Sequence, residues 1–261
     1  MNVQTEPSAP RGCNAASPRL LALDSATERL VLALVVGERQ WLADEAGGQR
    51  ASARALPLAF ELLAAAGLAA RDLDAVAFGR GPGAFTGLRT ACAIAQGLAL
   101  GAGCPVLALD SLALVADDAR ARHGVAADAV WVAMDARMDE VYAGAYRFVD
   151  GAWHARVAPA LWTLPALAAT WRAEPPACIA GSALAAFGDR LPAPGALQVA
   201  ATDGRAAALA RLARGAWARG EAIDAADALP FYLRDKVALT SAERAAAKAE
   251  GVAMNAARTA P

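Results

Sequence analysis

The stretch ALDSATE at residues 22–28 is echoed later in the chain by AMDARMDEVY at residues 133–142. In each copy a β-like apolar run ends in an aspartate, Asp24 or Asp135, and a short polar turn leads into a second apolar run. Elsewhere apolar runs of strand length alternate with helical patterns, which is typical of an α/β fold. The echoed hairpin therefore predicts a duplicated α/β unit.

The other elements are predicted from apolar patterning and from Gly and Pro breakers. We expect strands at residues 20–23, 30–36, 40–45, 74–79, 105–109, 141–148 and 177–180, and helices at 52–66, 86–100, 111–122, 164–171, 183–190 and 204–219. The predicted organisation is a flexible N-terminal tail (1–17), an N-terminal subdomain (18–110), a C-terminal subdomain (111–240) and an Ala-rich tail (241–261). The sequence leaves open whether that last tail is a frayed helix or disordered.

The composition excludes several classes of protein. With 57% apolar and 20% charged residues among 261, the chain is not a mostly disordered one. Its formal net charge of -1 lacks the excess of positive charge typical of a strongly basic nucleic-acid binder, so we expect any contact with nucleic acid to be shared with a partner. The scattered cysteines show no C-x-x-C pair, which favours reduced thiols in a cytoplasmic protein.

Membrane and export segments are not expected. The N-terminus carries charged and Pro residues before any apolar run, which is unlike a signal peptide. Residues 90–109 form an uncharged stretch of membrane-spanning length, but Gly and Pro interrupt it, so it is interpreted as a buried helix followed by a buried strand.

Two local features are candidates for ligand chemistry. Asp24 and Asp135 stand where strands end, a common place for ligand or Mg²⁺ binding in α/β proteins, although aspartate also stabilises ordinary turns there. Gly81-Pro82-Gly83 precedes a predicted helix, where free N–H groups favour anions, but such a turn is also common without a ligand.

The predicted helix at 86–100 is apolar on more than one side, and Arg89 is its only charged residue. A helix that lies on a sheet needs only one apolar stripe, so the second subdomain or another protein must cover the remainder. Residues 91 and 93 project about 200° apart on a helix. One of them should face the chain's own sheet and the other a partner, and the sequence does not say which.

Four motifs together resemble one family. GPGAFTGLR at residues 81–89 strongly resembles the G-P-G-S-F-T-G-x-R signature of the bacterial TsaB (YeaZ) family, with Ala84 as the one departure. Residues 24–28 resemble its D-T-A-T-E turn, residues 135–142 its D-A-R-M-D-E-V-Y hairpin, and residues 230–234 its P-x-Y-L-R element. The four matches occur in the family's order across roughly residues 19–240.

The resemblance implies an actin-like ATPase (ASKHA) fold built from two ribonuclease-H-like subdomains. It also implies a non-catalytic role in forming N6-threonylcarbamoyladenosine (t6A) at position 37 of tRNAs that read codons starting with A. The transferase TsaD is the implied heterodimer partner and the ATPase TsaE joins the complex, so that tRNA is reached only through the complex. No cofactor is expected on this chain alone, and any ATP belongs at the interface of the complex.

Residue by residue, the resemblance gives two candidate sites. The candidate partner interface comprises Phe60, Leu63, Gly83, Phe85, Thr86, Gly87, Leu88, Arg89, Ala91 and Ala95. A vestigial nucleotide site comprises Asp24, Thr27, Asp135 and Arg137. Ala26 stands where actin-like kinases have glycine, and its Cβ would crowd a phosphate, so nucleotide binding by the chain alone is not expected.

Three functional alternatives follow from these features. The TsaD-like H-x-x-x-H metal motif is absent from residues 109–115, which favours a scaffold over a catalyst. The first rival is a stand-alone enzyme, either a sugar-type kinase or an M22-type peptidase. The second is a regulatory homodimer that uses the same apolar helices.

Overall fold

The computed structural model describes residues 17–124, 129–201 and 204–234. Within those ranges it contains ten β-strands: β1 (Arg19–Asp24), β2 (Arg29–Val36), β3 (Arg39–Ala46), β4 (Ala75–Gly81), β5 (Val106–Asp110), β6 (Val130–Asp135), β7 (Glu140–Val149), β8 (Ala152–Thr163), β9 (Cys178–Ala180) and β10 (Leu197–Val199). The same ranges contain six α-helices: α1 (Ala51–Ala65), α2 (Phe85–Ala102), α3 (Ser111–His123), α4 (Leu164–Ala173), α5 (Ala183–Phe187) and α6 (Arg205–Ala218). Apart from Ser17, the predicted tails at 1–17 and 241–261 lie outside the described residues.

The chain folds as the same β-β-β-α-β-α-β-α unit twice. Among the described residues, one five-stranded sheet has the order β3-β2-β1-β4-β5, and the other has the order β10-β9-β6-β7-β8. The first three strands of each unit pair antiparallel, and the later two join in parallel through helical crossovers. The predicted duplication and the α/β fold class are therefore confirmed.

Helices cover both faces of both sheets. Residues of α1 and α2 pack on one face of the first sheet, and residues of α6 pack on the other. Residues of α3 pack on the second sheet, whose opposite face is covered by α4 and α5. Since α3 and α6 also contact each other, they form the layer between the two sheets. The predicted division between residues 110 and 111 stays a prediction, and α6 from the later part of the chain packs on the earlier sheet.

Several predicted boundaries differ from the observed elements. The strands β8 and β10 were not expected, because neither shows a clean apolar alternation. The helix expected at 183–190 ends at Phe187, where Gly188 takes a positive φ of 49°. A 3-10 turn at Gly188–Arg190 completes that segment.

A buried polar pair joins the two units. Asp110 is the N-cap of α3, and its Oδ1 accepts hydrogen bonds from the backbone N–H groups of Leu112 at 2.8 Å and Ala113 at 3.3 Å. Its Oδ2 accepts a 2.7 Å hydrogen bond from the Tyr146 hydroxyl on β7. Burial is the largest effect on both groups and raises the pKa of the Asp110 carboxyl and that of the Tyr146 hydroxyl.

The pair predicts a pH dependence. Because the folded pKa of Asp110 is raised, the native state binds more protons than the unfolded state above the unfolded pKa of about 3.9, and stability falls as pH rises through the folded pKa. An Asp110→Asn variant keeps a cap acceptor and cannot ionise. We expect the free energy of unfolding of this variant, relative to wild type, to rise between pH 3.5 and pH 7. Urea denaturation at both pH values measures it, and a pH-independent difference would contradict this account.

Candidate functional site

The first turn, residues 24–28 between β1 and β2, begins with a buried aspartate. Asp24 is fully buried, its Oδ2 accepts a 2.6 Å hydrogen bond from the Ser111 hydroxyl, and its Oδ1 accepts one from the Ala26 backbone N–H at 3.1 Å. The Ser111 hydroxyl in turn accepts a hydrogen bond from the Gly81 backbone N–H at 3.1 Å. Both carboxylate oxygens are thus used within the chain. Of the two roles that the sequence left open for Asp24, these bonds support the turn-stabilising one, in which the carboxylate holds the turn against α3 and β4.

The second turn, residues 135–140 between β6 and β7, is more exposed to solvent. Asp135 ends β6, and its Oδ1 accepts a 2.8 Å hydrogen bond from the Arg137 backbone N–H. The Arg137 guanidinium lies 3.4 Å from the other Asp135 oxygen and 3.2 Å from a Glu28 oxygen. Arg137 therefore links the second turn to the first across a cleft between the two units.

The signature loop, residues 81–89, packs against the first turn, and its glycines leave room for this contact. A Cβ on Gly87 would lie 1.9 Å from the Ser25 carbonyl oxygen, and one on Gly83 would lie 2.4 Å from the Ala26 carbonyl oxygen. The Ser25 hydroxyl donates to the Gly87 carbonyl at 2.8 Å. Two of the candidate interface glycines thus contact the chain's own backbone, and the Cβ of Ala26 is turned toward Gly83.

The C-terminal strap, residues 223–234, crosses α2. The Gln96 side-chain amide donates to the carbonyls of Ala225 at 3.0 Å and Ala228 at 3.2 Å. Further along, Arg89 Nε donates to the Tyr232 hydroxyl at 3.0 Å, and the Phe85 and Tyr232 rings lie 5.0 Å apart. The strap therefore covers part of the apolar surface that the sequence assigned to the second subdomain or a partner.

Four of the candidate interface residues lie in the core and not at the surface. The side chains of Leu63, Leu88, Ala91 and Ala95 lie in the chain's own core, at 1% exposure or less. They face the first sheet or its packed helices, so they present no surface to a partner. Of the other candidates, Phe60, Thr86 and Arg89 are exposed, and Phe85 is half-buried against the strap.

The cleft between the units has a volume of about 450 Å³ and opens beside both turns. Three of the predicted nucleotide-site residues, Thr27, Asp135 and Arg137, line it, and Asp24 does not. Further parts of the wall come from residues 82–85, from the strap and from apolar side chains of α3 and β6: Pro82, Phe85, Tyr232, Leu233, Arg234, Leu112, Val115 and Met134. Of the four predicted residues, the structure thus brings three to one cavity.

Arg205 is a cleft residue that sequence reasoning missed. It begins α6, lines the cleft and donates a 2.6 Å hydrogen bond from Nη2 to the Thr27 hydroxyl. The two residues stand 178 positions apart, so no local motif connects them. The available signal was weak, an arginine directly after Gly204 at the start of an Ala-rich helix that also carries Arg211 and Arg214.

The described part of the chain contains three buried or half-buried cysteines and lacks a metal-binding cluster. No group of three or more His, Cys, Asp or Glu side chains there could hold a metal ion. Cys92, Cys104 and Cys178 are free thiols, and burial raises the pKa of both Cys104 and Cys178 to about 11, which disfavours the thiolate. None of the helices in these ranges has the length and apolarity needed to cross a membrane.

Comparisons with known proteins agree with this architecture. The family model described as "TsaD: tRNA N6-adenosine threonylcarbamoyltransferase" matches residues 45–186. The Haemophilus influenzae protein named tRNA threonylcarbamoyladenosine biosynthesis protein TsaB is 45% identical over 123 residues, which cover 47% of this chain and 51% of that protein. The protein of the same name from Escherichia coli is 41% identical over 137 residues, covering 52% of this chain and 58% of that protein. These alignments span little more than half the length of the curated relatives.

A solved structure gives the longest of these matches. The structure described as YeaZ from Pseudomonas aeruginosa superposes with a TM-score of 0.73 at 40% identity, covering 83% of this chain and all of that one. That coverage includes both units. The motifs at residues 24–28, 81–89, 135–142 and 230–234, which surround the cleft, fit the same assignment. The chain belongs to the TsaB (YeaZ) family, whose two ribonuclease-H-like units form an actin-like fold.

Proposed function

We propose that this protein is a non-catalytic subunit that supports t6A formation at position 37 of tRNAs reading codons that start with A. It acts by forming a heterodimer with the transferase TsaD and by recruiting the ATPase TsaE, and it meets tRNA only within that complex, in the cytoplasm. The names of its relatives support the pathway, since the Haemophilus and Escherichia proteins are called tRNA threonylcarbamoyladenosine biosynthesis proteins.

One surface carries the proposal. The α1–α2 surface is defined by residues that share exposure and an apolar or small side chain: Leu56, Pro57, Phe60, Ala93, Gly97 and Leu100. Leu100 is 81% exposed and Phe60 is 48% exposed, although the helices that carry them pack together on the first sheet. The i, i+4 spacing of Leu56 with Phe60 and of Ala93 with Gly97 places each pair on one face of its helix. Large exposed apolar patches on a folded protein mark interaction sites.

The charges near this surface affect the cost of covering it with a partner. Arg54 on α1 is held by Glu45 at 2.8 Å and by Glu61 at 2.6 Å, so its charge is compensated within the chain. On α2, the exposed Arg89 lies 3.9 Å above the Phe85 ring and bonds Tyr232. Arg54 therefore adds little desolvation cost to docking, whereas Arg89 forms no ion pair among the described residues, so a partner must leave it in water or supply an acidic group. The small residues Ala93 and Gly97 allow a partner helix to approach closely.

The proposal assigns no catalytic residue and no cofactor to this chain, and places any ATP at the interface of the complex. The two strand-end carboxylates support this assignment. Each Asp24 oxygen accepts a hydrogen bond from within the chain, and Asp135 is engaged by the backbone and side chain of Arg137. A general acid or base needs hydrogen-bond reach to its substrate, which Asp24 does not have.

Reconstitution with a matched pair of variants tests the proposal. Purified protein, TsaD, TsaE, threonylcarbamoyl-AMP, ATP and tRNA are combined, and t6A is measured by mass spectrometry of the digested nucleosides. Omitting this protein should reduce t6A at least tenfold, and Phe60→Asp should do the same. Leu197→Asp, at a residue 49% exposed on β10, should leave t6A unchanged.

Two results would contradict the proposal. t6A formed by this protein without TsaD would make it a catalyst. Equal t6A with and without this protein would remove its supporting role.

A further inference from the structure

Arg205 is a buried cation without a counter-ion among the described residues. Its side chain is part of the cleft wall, yet the residue is only 2% exposed. Nη2 bonds the neutral Thr27 hydroxyl, and Nε has no hydrogen-bond partner within the described ranges. A guanidinium stays charged at any physiological pH, and a buried charge without a partner is costly. The cleft wall therefore carries a positive charge that no acidic group among the described residues balances.

The other arginines of the cleft wall are already neutralised by ion pairs. Arg29 lies 2.8 Å from Asp44, and Arg234 pairs with Glu140. Arg137 is held by Glu28 and Asp135, as described above. The two carboxylates that line the cleft, Glu28 and Asp135, both pair with Arg137, and in the described part of the chain no carboxylate forms an ion pair with Arg205.

The position of Arg205 adds to the attraction for an anion. It is the first residue of α6, a 14-residue helix whose N-cap, Gly204, donates its backbone N–H to the Asp118 carboxylate at 3.3 Å, and the charge of Asp118 is in turn paired with Arg122. The positive end of that helix dipole adds to the charge of the guanidinium. The turn at residues 24–27 is a poorer anion site, because the Ala26 N–H is already bonded to Asp24.

We propose that the cleft binds a small ligand through an oxyanion, either a phosphate or a carboxylate, that is held by the Arg205 guanidinium. The free Nε–H and the Nη groups form a planar fork that suits either oxyanion. The apolar walls formed by Leu112, Val115 and Met134 suit a ligand with an apolar or planar body. A volume of about 450 Å³ lies in the range of small-molecule sites. This site is separate from the α1–α2 surface, so it stands or falls independently of the proposed heterodimer.

Nuclear magnetic resonance of the full-length protein tests the site directly. The arginine Nε–Hε signals are followed while inorganic phosphate, AMP or benzoate is added at constant ionic strength, and the Arg205 signal is identified by its loss in Arg205→Lys. We expect a saturable shift of that signal with at least one probe. A shift with phosphate or AMP identifies a phosphate ligand, and one with benzoate alone identifies a carboxylate ligand. If none of the three shifts it, the proposal is overturned.

Variants separate this role from a structural one. In Arg205→Met, probe affinity should fall at least tenfold, and without probe the melting temperature should not fall, because a buried unpaired charge has been removed. In the control Arg29→Met, which removes a paired arginine of the same cleft, probe affinity should stay within about twofold. Unchanged affinity in Arg205→Met would overturn the proposal. The wild-type titration decides the question should that variant fail to fold.

Discussion

Ala93→Arg should leave the protein folded and abolish capture of TsaD, whereas Ala91→Arg should prevent folding. Both alanines lie on α2, but Ala91 is fully buried against the first sheet and Ala93 is exposed on the α1–α2 surface. An arginine at 91 buries a charge without a counter-ion, at a cost of about 3–5 kcal/mol, which is a large part of a typical domain's stability. An arginine at 93 stays in water until a partner docks.

Circular dichroism and a pull-down with TsaD measure the two outcomes. The matched control is Ala169→Arg, at an exposed alanine of α4 in the second unit, which should fold and still bind. If Ala93→Arg folds and captures TsaD as well as wild type does, the α1–α2 surface is not the interface. A folded Ala91→Arg protein would contradict the assignment of the buried face.

Gly87→Ala should destabilise the protein by about 3 kcal/mol, and Gly97→Ala should stabilise it by up to about 1 kcal/mol. The substitution is the same and both positions lie on α2. At Gly87 the new Cβ would stand 1.9 Å from the Ser25 carbonyl oxygen, so the first turn must move and the Ser25–Gly87 hydrogen bond is lost. At Gly97 no atom outside the helix lies within 4 Å of the new Cβ, and alanine favours the helix.

Thermal melting measures both effects. A domain of this size shifts its Tm by about 2–4 °C per kcal/mol, so Gly87→Ala should melt roughly 6–12 °C below wild type. Equal melting temperatures for the two variants would show that the contact between the signature loop and the first turn has little energetic importance.

The duplication was predictable from sequence because it is written twice in local patterns. The polar turns after Asp24 and Asp135 each separate two apolar runs, so the repeated hairpin is visible without any knowledge of packing. The strand β8 was missed because most of its residues are partly or fully exposed, which removes the apolar alternation. The sequence also did not show which sheet α6 packs on, since an apolar face indicates that a helix packs but not against which partner.

The roles of the two aspartates could not be separated from sequence. Both end a strand before a polar turn, yet the Ser111 hydroxyl, 87 residues away, donates a hydrogen bond to Asp24 and not to Asp135. Similarly, the all-round apolarity of α2 indicated a cover but not its source. The structure shows that part of this cover is the C-terminal strap, through Ala228 and Tyr232, while Ala93 and Leu100 stay exposed.

The mass of the complex formed with TsaD tests the central claim most directly. Light scattering after size-exclusion chromatography is applied to this protein, to TsaD and to their mixture, with and without ATP. We predict that the mixture gives a species of one TsaD plus one 26.6 kDa chain already without ATP, and that Phe60→Asp returns the two proteins to their separate masses. A protein that keeps its own mass in the presence of TsaD under both conditions would contradict the account.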